Sequence, residues 1–289
     1  MQLPFLPSRL PSIDLDDAVV AITGAARGIG LATAQAFAAR GARVCLGDLD
    51  GDLAAEAAES IGANAFPFTV DVTSKESYAA FVDAVEATVG PIEILVNNAG
   101  VMPLGRFLDE PDAISRTTLD VNVLGVVHGM RLVLPGMIGR GYGHVVNVAS
   151  MLGKIPAPGA AVYVASKYAV VGLTASVRDE LAGTGVTVSA VLPTAVRTGL
   201  VAGVPLGHGM PAVDPEDIAR AIVGSVDSRA AEIPVPWWLA GYQPLAALLP
   251  GPLMRLGRRL LGADRALTAL DHEARKAYEA RVASQSSTT

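Results

Sequence analysis

The chain has 289 residues, about half of them apolar, and a formal net charge of -6. That length accommodates one large α/β domain or two small ones with ample material for a core, and the acidic balance excludes a phosphate-binding basic surface, so no nucleic-acid partner is expected. Cys45 is the single cysteine, which rules out an internal disulfide and fits a reducing, cytoplasmic compartment.

In chain order, the first 14 residues lack a basic segment leading into a long apolar stretch, so an irregular, proline-punctuated arm is expected rather than a secretory signal. From Ala18 a pattern repeats: a short β-branched run, a glycine-containing turn, then a longer alanine-rich segment with helical spacing. Strands are expected at Ala18–Thr23, Arg43–Asp48, Ala65–Asp71, Ile92–Asn97, Gly143–Ser150 and Val186–Leu192. Most are apolar throughout rather than alternating, as in a parallel sheet covered on both faces. The intervening segments Ile29–Ala39, Leu53–Ile61, Lys75–Val89, Ser115–Arg140 and Tyr163–Gly183 read as helices, several ending at glycine. The expectation is a doubly wound, Rossmann-type α/β domain over residues 15–232, with a C-terminal extension.

That extension begins with 22 uncharged residues, Ile233 to Met254. The length suits a membrane span, but five prolines would leave too many backbone groups unpaired in lipid. Residues 233–262, with Trp237 and Trp238 followed by Arg255, Arg258 and Arg259, therefore suit a lid or subunit contact first and peripheral contact with a membrane surface second. Residues 263–289 read as a solvated charged helix and a disordered tail.

The first strand ends in Thr23-Gly24-Ala25-Ala26-Arg27-Gly28-Ile29-Gly30 and opens into a helix. Glycines let backbone approach a pyrophosphate, and a helix N-terminus supplies free N–H groups and positive dipole. The spacing is Gly-x3-Gly-x-Gly, not the strict GxGxxG fingerprint. Asp48 ends the second strand, where a carboxylate accepts bonds from ribose hydroxyls and repels a 2′-phosphate, favouring NAD over NADP. Arg27 opposes that preference, because it could pair with such a phosphate. Asp71-Val72 and Asn97-Asn98-Ala99-Gly100 follow the third and fourth strands, at the edge where open parallel sheets bind ligands. Each also has a plain reading, Asp71 as a helix cap and the Asn-Gly run as turn chemistry.

Tyr163 is followed four residues later by Lys167, which places both side chains on one helical face. A tyrosine ordinarily loses its proton near pH 10, and a neighbouring ammonium stabilises the phenolate. Ser150 ends the fifth strand at the same edge and lies in Val-Ala-Ser-Met-Leu, not a G-x-S-x-G elbow, which disfavours hydrolase chemistry. The four histidines are scattered without metal-ligand spacing, so no metal is expected.

Taken together, TGAARGIG at 23–30, Asp48, Asp71-Val72, NNAG at 97–100, Asn122, Ser150 and Tyr163-x3-Lys167 resemble the short-chain dehydrogenase/reductase family over residues 18 to about 200. The resemblance implies that Ser150 orients a substrate oxygen, Tyr163 transfers its proton, Lys167 holds the cofactor ribose and lowers the tyrosine pKa, and Asn122 positions the lysine and a relay water. It also implies a nicotinamide lying along Pro193, with Val196 and Thr198 beside it and Thr198 at its carboxamide. The family usually has Pro-Gly where this chain has Pro193-Thr194, which puts a side chain where backbone approaches the cofactor. Dimers or tetramers packed through Ser115–Arg140 and Tyr163–Gly183 are implied as well.

The stretches expected to line the substrate pocket are apolar: Val101-Met102-Pro103-Leu104, Met151-Leu152, Ile155-Pro156-Ala157-Pro158 and Leu200-Val201. A small lipophilic alcohol or ketone, steroid-like or long-chain, is the expected substrate. Two alternatives remain open: an epimerase or dehydratase using transient hydride transfer, and a nucleotide-binding protein without catalysis.

Overall fold

The structure, a computed structural model, describes residues 10–204, 212–241 and 270–286. Residues 1–9 of the arm, 242–262 of the uncharged segment, and 263–269 and 287–289 of the charged stretch and tail lie outside the described residues.

Seven parallel strands form one sheet in the order β3-β2-β1-β4-β5-β6-β7. They are β1 (Val19–Thr23), β2 (Arg43–Asp48), β3 (Ala65–Thr69), β4 (Ile94–Asn97), β5 (Gly143–Val148), β6 (Val186–Pro193) and β7 (Glu232–Val235). Strands β1, β4, β5 and β6 are buried at every position, which is why they read as mostly apolar without regular alternation. Val20 of β1 pairs with Val44 on one side and Ile94 on the other, so the strand order reverses between β1 and β4. Ligands of open α/β sheets bind at the carboxyl end of that reversal.

Two cores flank the sheet. On one face α1 (Gly28–Ala38), α2 (Gly51–Ile61) and α7 (Pro215–Ser228) bury Phe37, Ala57, Ile218 and Ile222. On the other, α3 (Lys75–Thr88), α5 (Gly125–Arg140) and α6 (Ala161–Glu180) bury Phe81, Val85, Met130, Val133 and Val170. Local chemistry sets several ends: the Asp50 carboxylate accepts from the Leu53 N–H to start α2, Ser74 accepts from the Ser77 N–H to start α3, and Gly141 at φ +75° closes α5.

Four sequence expectations are corrected. The long helix expected over Ser115–Arg140 begins earlier and is not α-helical throughout: α4 (Asp112–Leu119) runs without a break through a π turn at Asp120–Leu124 into α5. A boundary at residue 233 cuts through β7, an edge strand in which Pro234 is tolerated because edge N–H groups need no ladder partner, as with Pro67 in β3. Strand β5 stops at Val148, leaving Ser150 just beyond the sheet. The C-terminal helix α8 (His272–Ser286) is not solvated all round, since Arg275, Tyr278 and Val282 are buried. Its described part also takes in Ser284, Gln285 and Ser286 of the stretch expected to be a disordered tail.

Asp112–Arg140 is by length and composition apolar enough to cross a membrane: an 18-residue window within it has mean hydropathy 1.5, and 44% of that window is buried inside the protein. Val126, Met130, Val133 and Met137 belong to the core it covers, so packing on the sheet accounts for those apolar positions.

Candidate active site

The glycine loop turns between β1 and α1 against the end of β4. Gly24 and Gly28 sit at φ +63° and +57°, a region that disfavours side chains. A Cβ at Gly24 would lie 2.9 Å from the Ala99 Cα, and one at Gly30 would fall on the Gly24 carbonyl oxygen. Asn98 ties the two ends together: its Nδ2 donates to the carbonyls of Thr23 and Gly24, each at 2.9 Å, while the N–H groups of Asn98 and Ala99 donate to Thr23 Oγ1. No side chain caps the first turn of α1, so the N–H groups around Gly28, Ile29 and Gly30 stay available to an anion. This is the observation by which a dinucleotide pyrophosphate fits the loop.

Asp48 closes the cradle at the end of β2, with Oδ2 accepting from the Ala26 N–H at 3.0 Å and Oδ1 from the Asp50 N–H at 3.2 Å. Arg27 lies 3.3 Å from Asp50 in a half-exposed pair, so its charge is already answered on the protein. Asp71 makes a local turn, its Oδ1 accepting from the N–H and hydroxyl of Thr73, while Ser74 is the residue that caps α3; Val72 is buried beside it. Asn97 faces the core rather than the cradle: it accepts from the Tyr78 hydroxyl at 2.7 Å and donates to Asn147 at 2.8 Å. Thr198 reaches back over the loop, its Cγ2 lying 3.3 Å from where a Gly28 Cβ would be, and Val196 is buried beneath it. Pro193 is the last residue of β6. The Thr194 hydroxyl donates to the Val235 carbonyl on β7, so the side chain that departs from the family pattern is turned onto the sheet.

Ser150, Tyr163 and Lys167 converge at the same edge, all buried. Ser150 Oγ accepts from the Leu152 N–H at 3.1 Å and caps the short turn Met151–Gly153. Lys167 Nζ donates to the Val148 carbonyl at 2.9 Å and lies 5.7 Å from the centre of the Tyr163 ring. Burial pushes the Tyr163 phenol above its usual range; a hydrogen bond with Ser150 pulls it down and Tyr278 adds to the rise. Burial also brings Lys167 down to about 8. In the protein alone the loss of water dominates both groups, and Ser150 is the neighbour that pulls the phenol down.

Asn122 owes its place to the π turn. Its side chain pairs with the Val101 backbone like a strand neighbour, Oδ1 accepting from the N–H at 2.8 Å and Nδ2 donating to the carbonyl at 2.9 Å. Nδ2 also donates to Ser166 Oγ, which donates to the Tyr163 carbonyl, so Asn122 is linked through Ser166 to the helix that carries Tyr163 and Lys167. A Cβ at Gly100 would sit 3.3 Å from Asn122 Oδ1 and 3.7 Å from Lys167 Nζ, so glycine keeps this corner open. Among the described residues no group of three or more His, Cys, Asp or Glu is placed to hold a metal ion.

Beside Tyr163 an apolar cluster gathers Met102, Leu104, Leu152, Ala160, Val164, Leu200 and Val201. Sequence reasoning named most of these and missed their neighbours on α8. The Tyr278 hydroxyl accepts from the Met102 N–H at 2.6 Å, and Arg275 donates to the carbonyls of Met102, Leu200 and Ala202. The available signal was the 275, 278, 282 spacing, one helical face hidden within a highly charged stretch.

A parallel sheet with a glycine loop at its reversal point defines the Rossmann-type dinucleotide fold. The family model described as short chain dehydrogenase matches residues 18–207, and the chain belongs to that family. Human estradiol 17-beta-dehydrogenase 11 is 31% identical over 261 residues, covering 88% of this chain and 86% of that protein. Mouse 17-beta-hydroxysteroid dehydrogenase 13 is 35% identical over 242 residues, covering 81% and 78%. Probable oxidoreductase EphD of Mycobacterium tuberculosis strain H37Rv is 36% identical over 232 residues, 79% of this chain, and this chain spans 38% of that protein's length. Among solved structures, a short chain dehydrogenase/reductase from Burkholderia phymatum in complex with NAD superposes with a TM-score of 0.74 at 27% identity, covering 81% of this chain and 94% of that one. The 3-ketoacyl-(acyl-carrier-protein) reductase from Brucella melitensis complexed with NADH gives 0.70 at 30% identity, covering 76% and 97%.

Proposed function

We propose that this protein is an NAD-dependent dehydrogenase or reductase that interconverts a secondary alcohol and a ketone on a lipophilic, steroid-like or long-chain molecule. The observation that carries the reading is the convergence of Ser150, Tyr163 and Lys167 with the uncapped start of α1 at one edge of the sheet. When bound, an oxidised nicotinamide supplies the hydride acceptor and a positive charge. In alcohol oxidation Ser150 holds the substrate oxygen, Tyr163 takes the hydroxyl proton as the carbon is oxidised, and Lys167 holds the cofactor ribose and favours the phenolate; reduction reverses each transfer. Asn122 keeps Lys167 and Tyr163 in register through Ser166.

Asp48 supports NAD over NADP, and the two solved neighbours hold NAD and NADH. The apolar cluster beside Tyr163 supports a lipophilic substrate, in keeping with the steroid dehydrogenase names of the relatives. The half-exposed Leu119, Leu124, Ile138 and Tyr168 lie on or beside α4, α5 and α6 and support a dimer or tetramer packed through those helices, and the free, buried Cys45 fits a reducing, cytoplasmic site of action. Exposed Trp237, in the described part of 233–262, supports a further contact of that segment with a subunit or a membrane surface.

The test is a panel of steroid and long-chain secondary alcohols with NAD or NADP, read as absorbance of the reduced nicotinamide. Product and reduced cofactor should appear in equal amounts with NAD. Activity with NADP alone would overturn the cofactor assignment, and conversion without net reduced cofactor would point to an epimerase.

A further inference from the structure

Arg275 is fully buried, yet among the described residues no buried carboxylate lies beside its guanidinium. Glu279 Oε1 approaches Nε at 3.4 Å from a half-exposed side chain. A buried charge persists only where polar partners replace its water. Here the partners are backbone carbonyls from two separate loops. Nη1 donates to Leu200 at 3.1 Å and to Ala202 at 3.2 Å, both following β6, while Nη2 donates to Met102, following β4. Met102 and Leu200 are also members of the apolar cluster around Tyr163.

A second contact, independent of the guanidinium, brings the same helix to the same loop. Gly203 stands at φ +72°, its carbonyl accepts from the Asp271 N–H at 2.8 Å, and a Cβ there would fall on the Asp271 carbonyl oxygen. The Asp271 carboxylate in turn accepts from the Ala274 N–H and starts α8. Only glycine lets the chain run so close to that helix start. Tyr278, one turn beyond Arg275, has the Arg275 guanidinium 4.7 Å from its ring centre and takes the Met102 N–H.

We infer that Arg275 is a positioning residue for substrate: by holding the Met102 and Leu200–Ala202 carbonyls together it fixes the spacing of the two loops that bracket Tyr163, and so sets which bulk of alcohol or ketone is accepted. This rests on the reading of the site as an alcohol or ketone pocket. A guanidinium suits the task because its planar fork carries five donors, enough to serve three carbonyls at once, whereas an ammonium is a point charge.

The test compares Arg275→Met, which keeps apolar bulk and removes the donors, with Gly203→Ala, which crowds the separate contact between the same loop and the start of α8 at Asp271. Arg275→Lys serves as the conservative rescue. For bulky secondary alcohols KM is expected to rise about tenfold or more in both variants, with a smaller fall in kcat and partial recovery in Arg275→Lys, the scale on which small misplacements of a bound substrate act. The NAD dissociation constant should stay within about twofold, since the glycine loop is not touched, and the ratio of KM for bulky over small substrates should change in both. An unchanged ratio, or a parallel loss of NAD binding, overturns the inference. Amide hydrogen exchange in 100–104 and 199–204 gives a readout that needs no turnover. It should quicken in Gly203→Ala even if Arg275→Met does not fold or no alcohol is oxidised by the unaltered protein. Unchanged exchange would sink the latch, whereas quickened exchange in a protein that oxidises no alcohol would sink only the functional reading.

Discussion

The Lys167 ammonium lies 5.7 Å from the centre of the Tyr163 ring, both side chains are buried, and Nζ donates to the Val148 carbonyl at 2.9 Å. Burial acts on the two groups in opposite directions, raising the phenol and lowering the amine, so each is held nearer its neutral form. Neutral tyrosine is a proton donor in waiting, and removing its hydroxyl should stop proton transfer without disturbing the cradle. Tyr163→Phe is expected to lower kcat by about 100-fold or more while NAD binding, followed by calorimetry, stays within about twofold.

The lysine has a consequence for stability. Its pKa falls from 10.5 unfolded to about 8 folded, so the unfolded chain binds more protons between those values, and stability rises with pH across that window. Below pH 8 the full cost of burying the ammonium is present. Lys167→Met should therefore be more stable than the unaltered protein at pH 7, by roughly 2 kcal/mol after loss of the Val148 bond, although turnover disappears. Denaturant unfolding at pH 7 and pH 10 checks this, and the advantage should shrink at the higher pH.

Asp48 makes the cofactor preference testable. Asp48→Ala removes both the carboxylate proposed to take the ribose and the acceptor of the Ala26 N–H. The NAD-to-NADP ratio of kcat/KM should fall at least about tenfold, equivalent to about 1.4 kcal/mol. A ratio that holds steady would mean that Asp48 does not discriminate.

Away from the site, His144 is buried at the start of β5, with ring nitrogens 2.8 Å from Thr187 Oγ1 and 3.0 Å from Ser225 Oγ. Burial, with Arg229 and Arg178 nearby, lowers its pKa from 6.5 to about 3. The folded state thus needs neutral His144, and its contribution, complete above pH 6.5, is lost as pH falls toward 3. His144→Gln should be less stable at pH 7 and should lose stability less steeply below pH 6.5, by up to about 1.4 kcal/mol per pH unit. Urea melts across pH 4 to 7 decide it.

Much of the fold was legible because buried parallel strands read as apolar runs and glycine marks where the chain turns. Asp48, the glycine loop and the Tyr163–Lys167 pair were legible for a related reason: they are set by spacing along one strand end or one helix. The misses share the opposite cause. Pro234 hides β7, because tolerance of proline depends on the strand being at the sheet edge. The π turn at Asp120–Leu124 carries no local breaker such as proline; Asn122 bonds there to Val101, on the loop after β4. Asn97 looked like cradle chemistry, and only its contact with Tyr78 shows that it belongs to the core.

By itself, then, the amino-acid sequence determined the alternation of strands and helices, the glycine turn, and the order in which the reactive side chains arrive at the sheet edge, since each depends on neighbours a few residues away. Tertiary structure alone decided which face of α8 is buried and what it holds. Arg275 reads as a solvated charge until carbonyls 75 and 173 residues distant replace its water, and no local pattern encodes that meeting.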